Sequence, residues 1–176
     1  MLKRFLPKDY KRSIFEITPE YLQERNIKGI ITDLDNTLVE WYRPEATPEI
    51  IEWYKRMQKN GISVMIVSNN KKKRVSGFAK PHGIPYLYDA QKPRSKSFKK
   101  ALDLMGLDID ETVVIGDQLL TDIWGGNRQG FHTILVAPVA KTDAIWTKLN
   151  RRIERWILRW FEKKGLLEWE ELSSGK

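Results

Sequence analysis

Short runs rich in β-branched residues alternate with helical patterns between residues 28 and 136, and nothing else in the chain restricts its fold as much. Residues 28–32 (KGIIT), 62–67 (ISVMIV), 112–115 (TVVI) and 133–136 (TILV) read as buried strands, with 85–88 as a weaker one. Between the first two, Thr47-Pro48-Glu49 is a helix start. Thr is a good cap, and Pro suits the first helical position, where no N–H is needed. That helix should run to Asn60 and stop at Gly61; a second opens at Ser95 and stops at Gly106, and a third falls within 119–130. Strands alternating with helices imply an α/β fold, a doubly wound and mainly parallel sheet covered on both faces. Such sheets bind ligands beyond the carboxyl ends of their strands.

A chain of 176 residues supports one domain with a full core, not two large ones. It contains no cysteine, which excludes disulfides, thiolate chemistry and Cys-type zinc sites and fits a reducing compartment. No apolar run reaches the roughly 18 residues of a membrane span, and the opening MLKRFLP is too short and polar for a signal peptide. A cytoplasmic location is expected. The net charge of +8 belongs to the two ends: residues 1–12 carry +4, residues 141–164 carry +5, and the rest is nearly neutral. Basic ends on a neutral body favour an anionic partner, either nucleic acid or an acidic membrane surface.

Polar groups cluster where the strands end. The first strand runs into Asp33-Leu34-Asp35-Asn36-Thr37, the second into Ser68-Asn69-Asn70, and the TVVI strand into Gly116-Asp117 with Asp122 beyond. Lys92-Pro93 follows the weak strand. Each has an ordinary reading alone. Asp-x-Asp is also a turn sequence, Gly-Asp often leads into a helix, and a single lysine is usually solvated. Their arrival in register with four strand ends points instead to one site. Clustered carboxylates repel one another unless a cation sits among them, and oxygen ligands suit Mg²⁺. A lysine and helix-start N–H groups suit phosphate oxygens. One carboxylate can attack phosphorus, and a second, two residues along the same side of an extended chain, can handle the proton.

Asp33-x-Asp35-x-Thr37, Ser68, Lys92 and Gly116-Asp117-(x4)-Asp122, in that order, resemble the four motifs of the haloacid dehalogenase (HAD) superfamily over roughly residues 28–136. The resemblance implies a HAD-like Rossmannoid sheet, with Asp33 as nucleophile and Asp35 as general acid/base. It further implies that Lys92, Ser68, Asn69 and Thr37 serve the substrate phosphoryl group. Asp33, the Asp35 carbonyl and Asp117 would hold Mg²⁺, with Asp122 steadying the metal's surroundings or Lys92. Asp35 and Thr37 favour the phosphatase branch over the dehalogenases. Only 35 residues separate Asp33 from Ser68 and 24 separate Ser68 from Lys92, so no cap domain fits and an open site is expected. The loop sequence DLDNTL with Ser68-Asn69-Asn70 and the basic ends is most similar to the YqeG family, itself similar to mitochondrial-type phosphatidylglycerophosphate phosphatases. Neither His82 nor His132 falls on a motif, and both read as structural.

Beyond residue 140 a basic amphipathic helix is predicted from Thr142 or Asp143 to Lys164, so the chain divides into a phosphatase domain, 1–140, and a helical tail, 141–176. Its face of Trp146, Leu149, Ile153, Trp156, Ile157, Trp160 and Phe161 lies opposite most of the arginines. That composition suits a membrane interface. It equally suits docking on the domain itself or on a second subunit, with nucleic acid a lesser option. The favoured function is dephosphorylation of phosphatidylglycerophosphate at the inner membrane surface. The alternatives are a soluble phosphatase for sugar phosphates or nucleic-acid ends, and an idle adaptor that binds membrane or RNA.

Overall fold

A computed structural model describes residues 2–140, 142 and 148–166. Six strands form one sheet: β1 (Asp9–Lys11), β2 (Gly29–Thr32), β3 (Ser63–Val67), β4 (Tyr86–Leu87), β5 (Thr112–Gly116) and β6 (His132–Val136). The order is β1-β6-β5-β2-β3-β4, and every pairing is parallel. The helices are α1 (Pro19–Gln23), α2 (Pro48–Lys59), α3 (Lys72–Ala79), α4 (Ser95–Met105), α5 (Trp124–Asn127) and α6 (Lys148–Lys163). The expected doubly wound sheet is therefore present. Thr47 caps α2 as the sequence requires, accepting from the Ile50 N–H, and Gly106 closes α4 in the left-handed region. The third expected helix differs: Leu119–Ile123 is a π-helical turn that passes into the short α5.

Strand side chains alternate between the two faces. Ile30, Val64, Ile66, Val113 and Ile115 pack under Ile50, Trp53 and Met57 of α2 and Val75 and Phe78 of α3. Ile31, Met65, Val67 and Val114 pack under Phe98 and Ala101 of α4 and Phe131. The chain leaves β2 toward β3 on one side, while β5 lies on the other, so the ends of β2 and β5 flank the crevice of a topological switch point.

The basic N-terminal segment was expected as an attachment, but part of it is strand β1, on the edge of the sheet beside β6. Its short, polar sequence carries no hydrophobic run, so only the tertiary pairing makes it a strand. His132 Nε2 lies 2.8 Å from Asp9 Oδ2, which also accepts from the Tyr21 hydroxyl at 2.5 Å, so this histidine ties β6 to β1. His82 is half-buried in the turn after α3.

The terminal helix divides its apolar residues between two environments. Ile157, Leu158 and Phe161 are buried with Leu119, Ile123 and Leu135, and Leu2, Phe5, Leu6, Tyr10 and Trp160 pack around them. Each fully buried side chain of this kind is worth about 1.5–3 kcal/mol. Ile153 and Trp156, expected on the same face, are 45% and 60% exposed, beside exposed Arg152, Arg155 and Arg159. Thr142 is exposed; the Asp143 and Trp146 side of the predicted helix start lies outside the described residues, and of the side chains of Lys148 and Leu149 nothing is described.

Candidate active site

β2 ends in register with its neighbours: Thr32 lies opposite Ile66 of β3 and Ile115 of β5, and the Asp33 N–H donates to the Ile115 carbonyl at 3.0 Å. The residues that follow all three strands therefore meet at one rim. Asn36 has φ +63°, a left-handed conformation that Asn tolerates, and turns the chain back on itself. Its N–H donates to the Val39 carbonyl at 2.7 Å and its side-chain oxygen accepts from the Trp41 N–H at 3.2 Å. The turn brings the buried Thr37 hydroxyl to Asp117, donating to Oδ1 at 3.0 Å.

Lys92 lies between two carboxylates, its Nζ donating to Asp33 Oδ1 at 2.8 Å and to Asp122 Oδ1 at 2.7 Å. Its side chain is 3% exposed. Burial works against the charge, but Asp122 and Asp33 outweigh it and hold the Lys92 pKa above its ordinary value. Asn69 fixes the lysine's backbone, accepting from its N–H at 2.7 Å and donating to its carbonyl at 3.2 Å. The Ser68 hydroxyl accepts from the Asn70 N–H at 3.1 Å. Asp33, Asp35, Trp41, Ser68, Asn69 and Lys92 help to line an open cavity of about 280 Å³. Thr37, expected to meet the substrate, does not line it and instead orients Asp117.

Asp33, Asp117 and Asp122 each place a carboxylate oxygen within 4.8 Å of the other two, and all three are buried. Burial pushes the pKa values of Asp117 and Asp122 up, with Arg151 and Lys92 respectively opposing the rise. An all-oxygen donor set with a surplus of negative charge fits Mg²⁺. The Asp35 carboxylate is held separately. Its Oδ1 accepts from Arg74 Nε at 3.0 Å and Nη2 at 2.8 Å, and its Oδ2 from Asn70 Nδ2 at 2.9 Å. Burial raises its pKa, Asn70 and Arg74 pull it down, and the Asp33 charge adds to the rise.

Two arginines of this site escaped the sequence reading. Arg74 ends the run Lys71-Lys72-Lys73-Arg74, in which cations stand at a helix start where they oppose its dipole. In the fold, Arg74 reaches Asp35 and the Pro44 carbonyl, and Lys71 pairs with Asp89 at 2.7 Å. Its position in the first turn after the second strand end was the available signal. Arg151 of α6 donates to the Asp117 carbonyl at 2.6 Å and to its carboxylate. Nothing local distinguished it from its basic neighbours.

Gly116 explains itself sterically. A Cβ there would lie 2.2 Å from Asp122 Cγ, so the carboxylate occupies the space a side chain would need. Gly116→Ala should displace Asp122 from Lys92. We expect turnover to fall at least about tenfold and stability by about 1–3 kcal/mol, the usual cost of overpacking. Phosphate-release kinetics with thermal denaturation checks this; unchanged turnover would contradict it.

A family model described as HAD-hydrolase-like matches residues 89–151. The probable phosphatase YqeG of Bacillus subtilis is 58% identical over 172 residues, covering 97% of this chain and all of that protein. The chloroplastic/mitochondrial phosphatidylglycerophosphate phosphatase 1 of Arabidopsis thaliana is 27% identical over 84% of this chain and 45% of its own length. The cobalt-bound deoxy-D-mannose-octulosonate 8-phosphate phosphatase of Haemophilus influenzae shares the fold, with TM-score 0.51 and 16% identity over 82% of this chain and 95% of that one. The strand-end motifs, the rim they form and the near full-length match to the Bacillus subtilis protein agree, and the chain belongs to the YqeG family of HAD-type phosphatases.

Proposed function

We propose that the chain is a Mg²⁺-dependent phosphomonoesterase that works through an aspartyl-phosphate on Asp33 and acts on phosphatidylglycerophosphate at an anionic membrane surface. The observation that carries the chemistry is the pairing of Asp33 with Lys92 beside Asp117 and Asp122, with Asp35 held two residues away. A carboxylate oxygen of Asp33 attacks phosphorus, and the bond from phosphorus to the glycerol oxygen breaks. Asp35 gives its proton to that departing oxygen. Water then attacks phosphorus, Asp35 takes the water's proton, and the bond to Asp33 breaks to release phosphate. Lys92, Ser68 and Asn69 hold the phosphoryl oxygens, and Arg74 with Asn70 keeps Asp35 aimed. Asp33, Asp117 and the Asp35 carbonyl would hold Mg²⁺, with Asp122 in support, and the ion would neutralise the charge gathered on the phosphoryl group.

The lipid substrate draws on the phosphatidylglycerophosphate phosphatases among the relatives and on the surface around the site. Trp41 lines the cavity, the exposed Tyr42 ring lies 5.6 Å from that of Trp41, and α6 exposes Trp156 among Arg152, Arg155 and Arg159. An aromatic beside arginines is the composition of a surface that meets anionic lipid. Among the described residues no helix is long and apolar enough to cross a membrane.

The test is phosphate release from phosphatidylglycerophosphate in anionic vesicles, set against a panel of soluble sugar phosphates and nucleotides. Activity should vanish with a chelator, return with Mg²⁺ and respond poorly to Ca²⁺, which prefers more ligands and looser geometry. Trp156→Ala with Arg155→Gln should slow lipid turnover several-fold and spare a small soluble ester. A clear preference for a soluble phosphate would overturn the lipid assignment, and full activity in excess chelator would overturn the metal.

A further inference from the structure

Among the described residues, the cation that touches Asp117 comes from α6, 34 positions further along the chain. Arg151, in the first turn of α6, donates to the Asp117 carbonyl at 2.6 Å and to its carboxylate oxygen Oδ2, while the Thr37 hydroxyl donates to Oδ1. Both oxygens of this buried carboxylate thus already have protein donors. Glu154, one turn further along α6 and buried, anchors the arrangement. It accepts from Arg151 at 3.2 Å and from the Leu120 N–H at 3.1 Å, just beyond the π-helical turn's start. Among the described residues, three clustered carboxylates thus meet two protein cations, Lys92 at Asp33 and Asp122, and Arg151 at Asp117.

A divalent cation entering this cluster would meet Arg151 on the same carboxylate. Like charges at contact distance in a buried site repel strongly, and an arginine donor and a metal ion compete for the same lone pairs. The helix can yield locally. Its apolar anchors Ile157, Leu158 and Phe161 sit two to three turns beyond Arg151, so the first turn can withdraw while the rest stays docked.

We propose that Arg151 and the divalent cation compete for Asp117, so that metal loading and seating of the first turn of α6 oppose each other. Metal-free protein would be held in order by its own arginine, and the metal would displace that contact. Because coupling is reciprocal, whatever pulls the first turn of α6 off the site strengthens metal binding by the same factor. Arg152, just past that turn, and Arg155 and Trp156, one turn further along α6, are exposed. This inference rests on the reading of Asp33, Asp117 and Asp122 as a Mg²⁺ site.

The test uses the full chain and Mg²⁺ alone, measured by calorimetry, together with amide hydrogen exchange along α6. Arg151→Gln should bind Mg²⁺ about tenfold more tightly than wild type, within the ordinary range of coupling between sites. Arg151→Lys, which keeps the charge but loses the fork, should fall between the two. Saturating wild type with Mg²⁺ should speed exchange in residues 150–154 and leave 157–161 unchanged. Equal or weaker Mg²⁺ binding by Arg151→Gln would overturn the competition and leave the metal reading standing. Absence of Mg²⁺ binding by either protein would overturn both. Should Arg151→Gln fail to fold, exchange in wild type decides: faster exchange of the first turn with Mg²⁺ supports the proposal, and equal or slower exchange overturns it.

Discussion

Asp33→Asn should lose at least about four orders of magnitude in phosphate release while the protein stays folded. Losses of this size follow removal of a covalent nucleophile, because the remaining groups can bind and polarise the substrate but cannot form the intermediate. The side chain sits at the end of β2 with its oxygen 2.8 Å from Lys92 Nζ and lines the open cavity. An amide preserves that shape and can still accept from the lysine, so the rim should hold. Lys92 also keeps Asp122 as its charged partner. Steady-state phosphate release with a thermal melt checks both halves, and a variant retaining a tenth of wild-type turnover would remove Asp33 from the nucleophile's role.

Lys92→Met should produce the largest loss of stability. The ammonium is the protein cation set between Asp33 and Asp122, at 2.8 and 2.7 Å, in a site where all of these groups are buried. Removing one partner of a buried ion pair costs about 3–5 kcal/mol, because the remaining charges stay desolvated and unpaired. For a domain of this size that is a fall of roughly 6–20 °C in Tm. Methionine fills most of the volume, so the loss reports charge rather than a cavity. Activity should disappear as well. If Asp33, Asp117 and Asp122 hold a divalent ion, Mg²⁺ should restore part of the lost Tm, since a ligand that binds only the folded state stabilises it. Calorimetric melts with and without Mg²⁺ measure this; a Tm within 2 °C of wild type would show that the cluster does not depend on its lysine.

The strands that read clearly in the sequence are those buried on both faces. Residues such as Ile30, Ile31, Val113 and Val114 are apolar without interruption, and the sheet cannot place them elsewhere. The rim was legible for a related reason. Asp33, Ser68 and Asp117 follow those same strands directly, so locating the strands located them. β1 was not legible, because Asp9, Tyr10 and Lys11 become a strand only by pairing with residues some 125 positions away. Arg74 and Arg151 were hidden differently. Each belongs to a basic run in which sequence cannot tell which member faces inward, and the answer depends on how α3 and α6 dock. The split face of α6 has the same origin, since periodicity marked its apolar stripe but not how much of it the body could cover.

The pairing of β1 with β6 also sets the order in which the molecule can assemble. Asp9 lies opposite Ile134, and the Phe5 ring rests 5.5 Å from that of Trp124, so this segment finds its partners only once the chain beyond them has been brought back to it. Contacts of such separation carry a loop-closure cost that must be met before they stabilise anything, which makes them late steps in folding. Until then the segment's Leu2, Phe5, Leu6 and Tyr10 have no site to fill, and its lysines and arginines keep it hydrated while it waits. Those same four residues border the pocket that receives Ile157, Leu158 and Phe161. The seat of α6 is therefore completed by the N-terminal segment 2–10, so the helix that carries Arg151 to Asp117 docks in its final position once that segment has closed on the sheet.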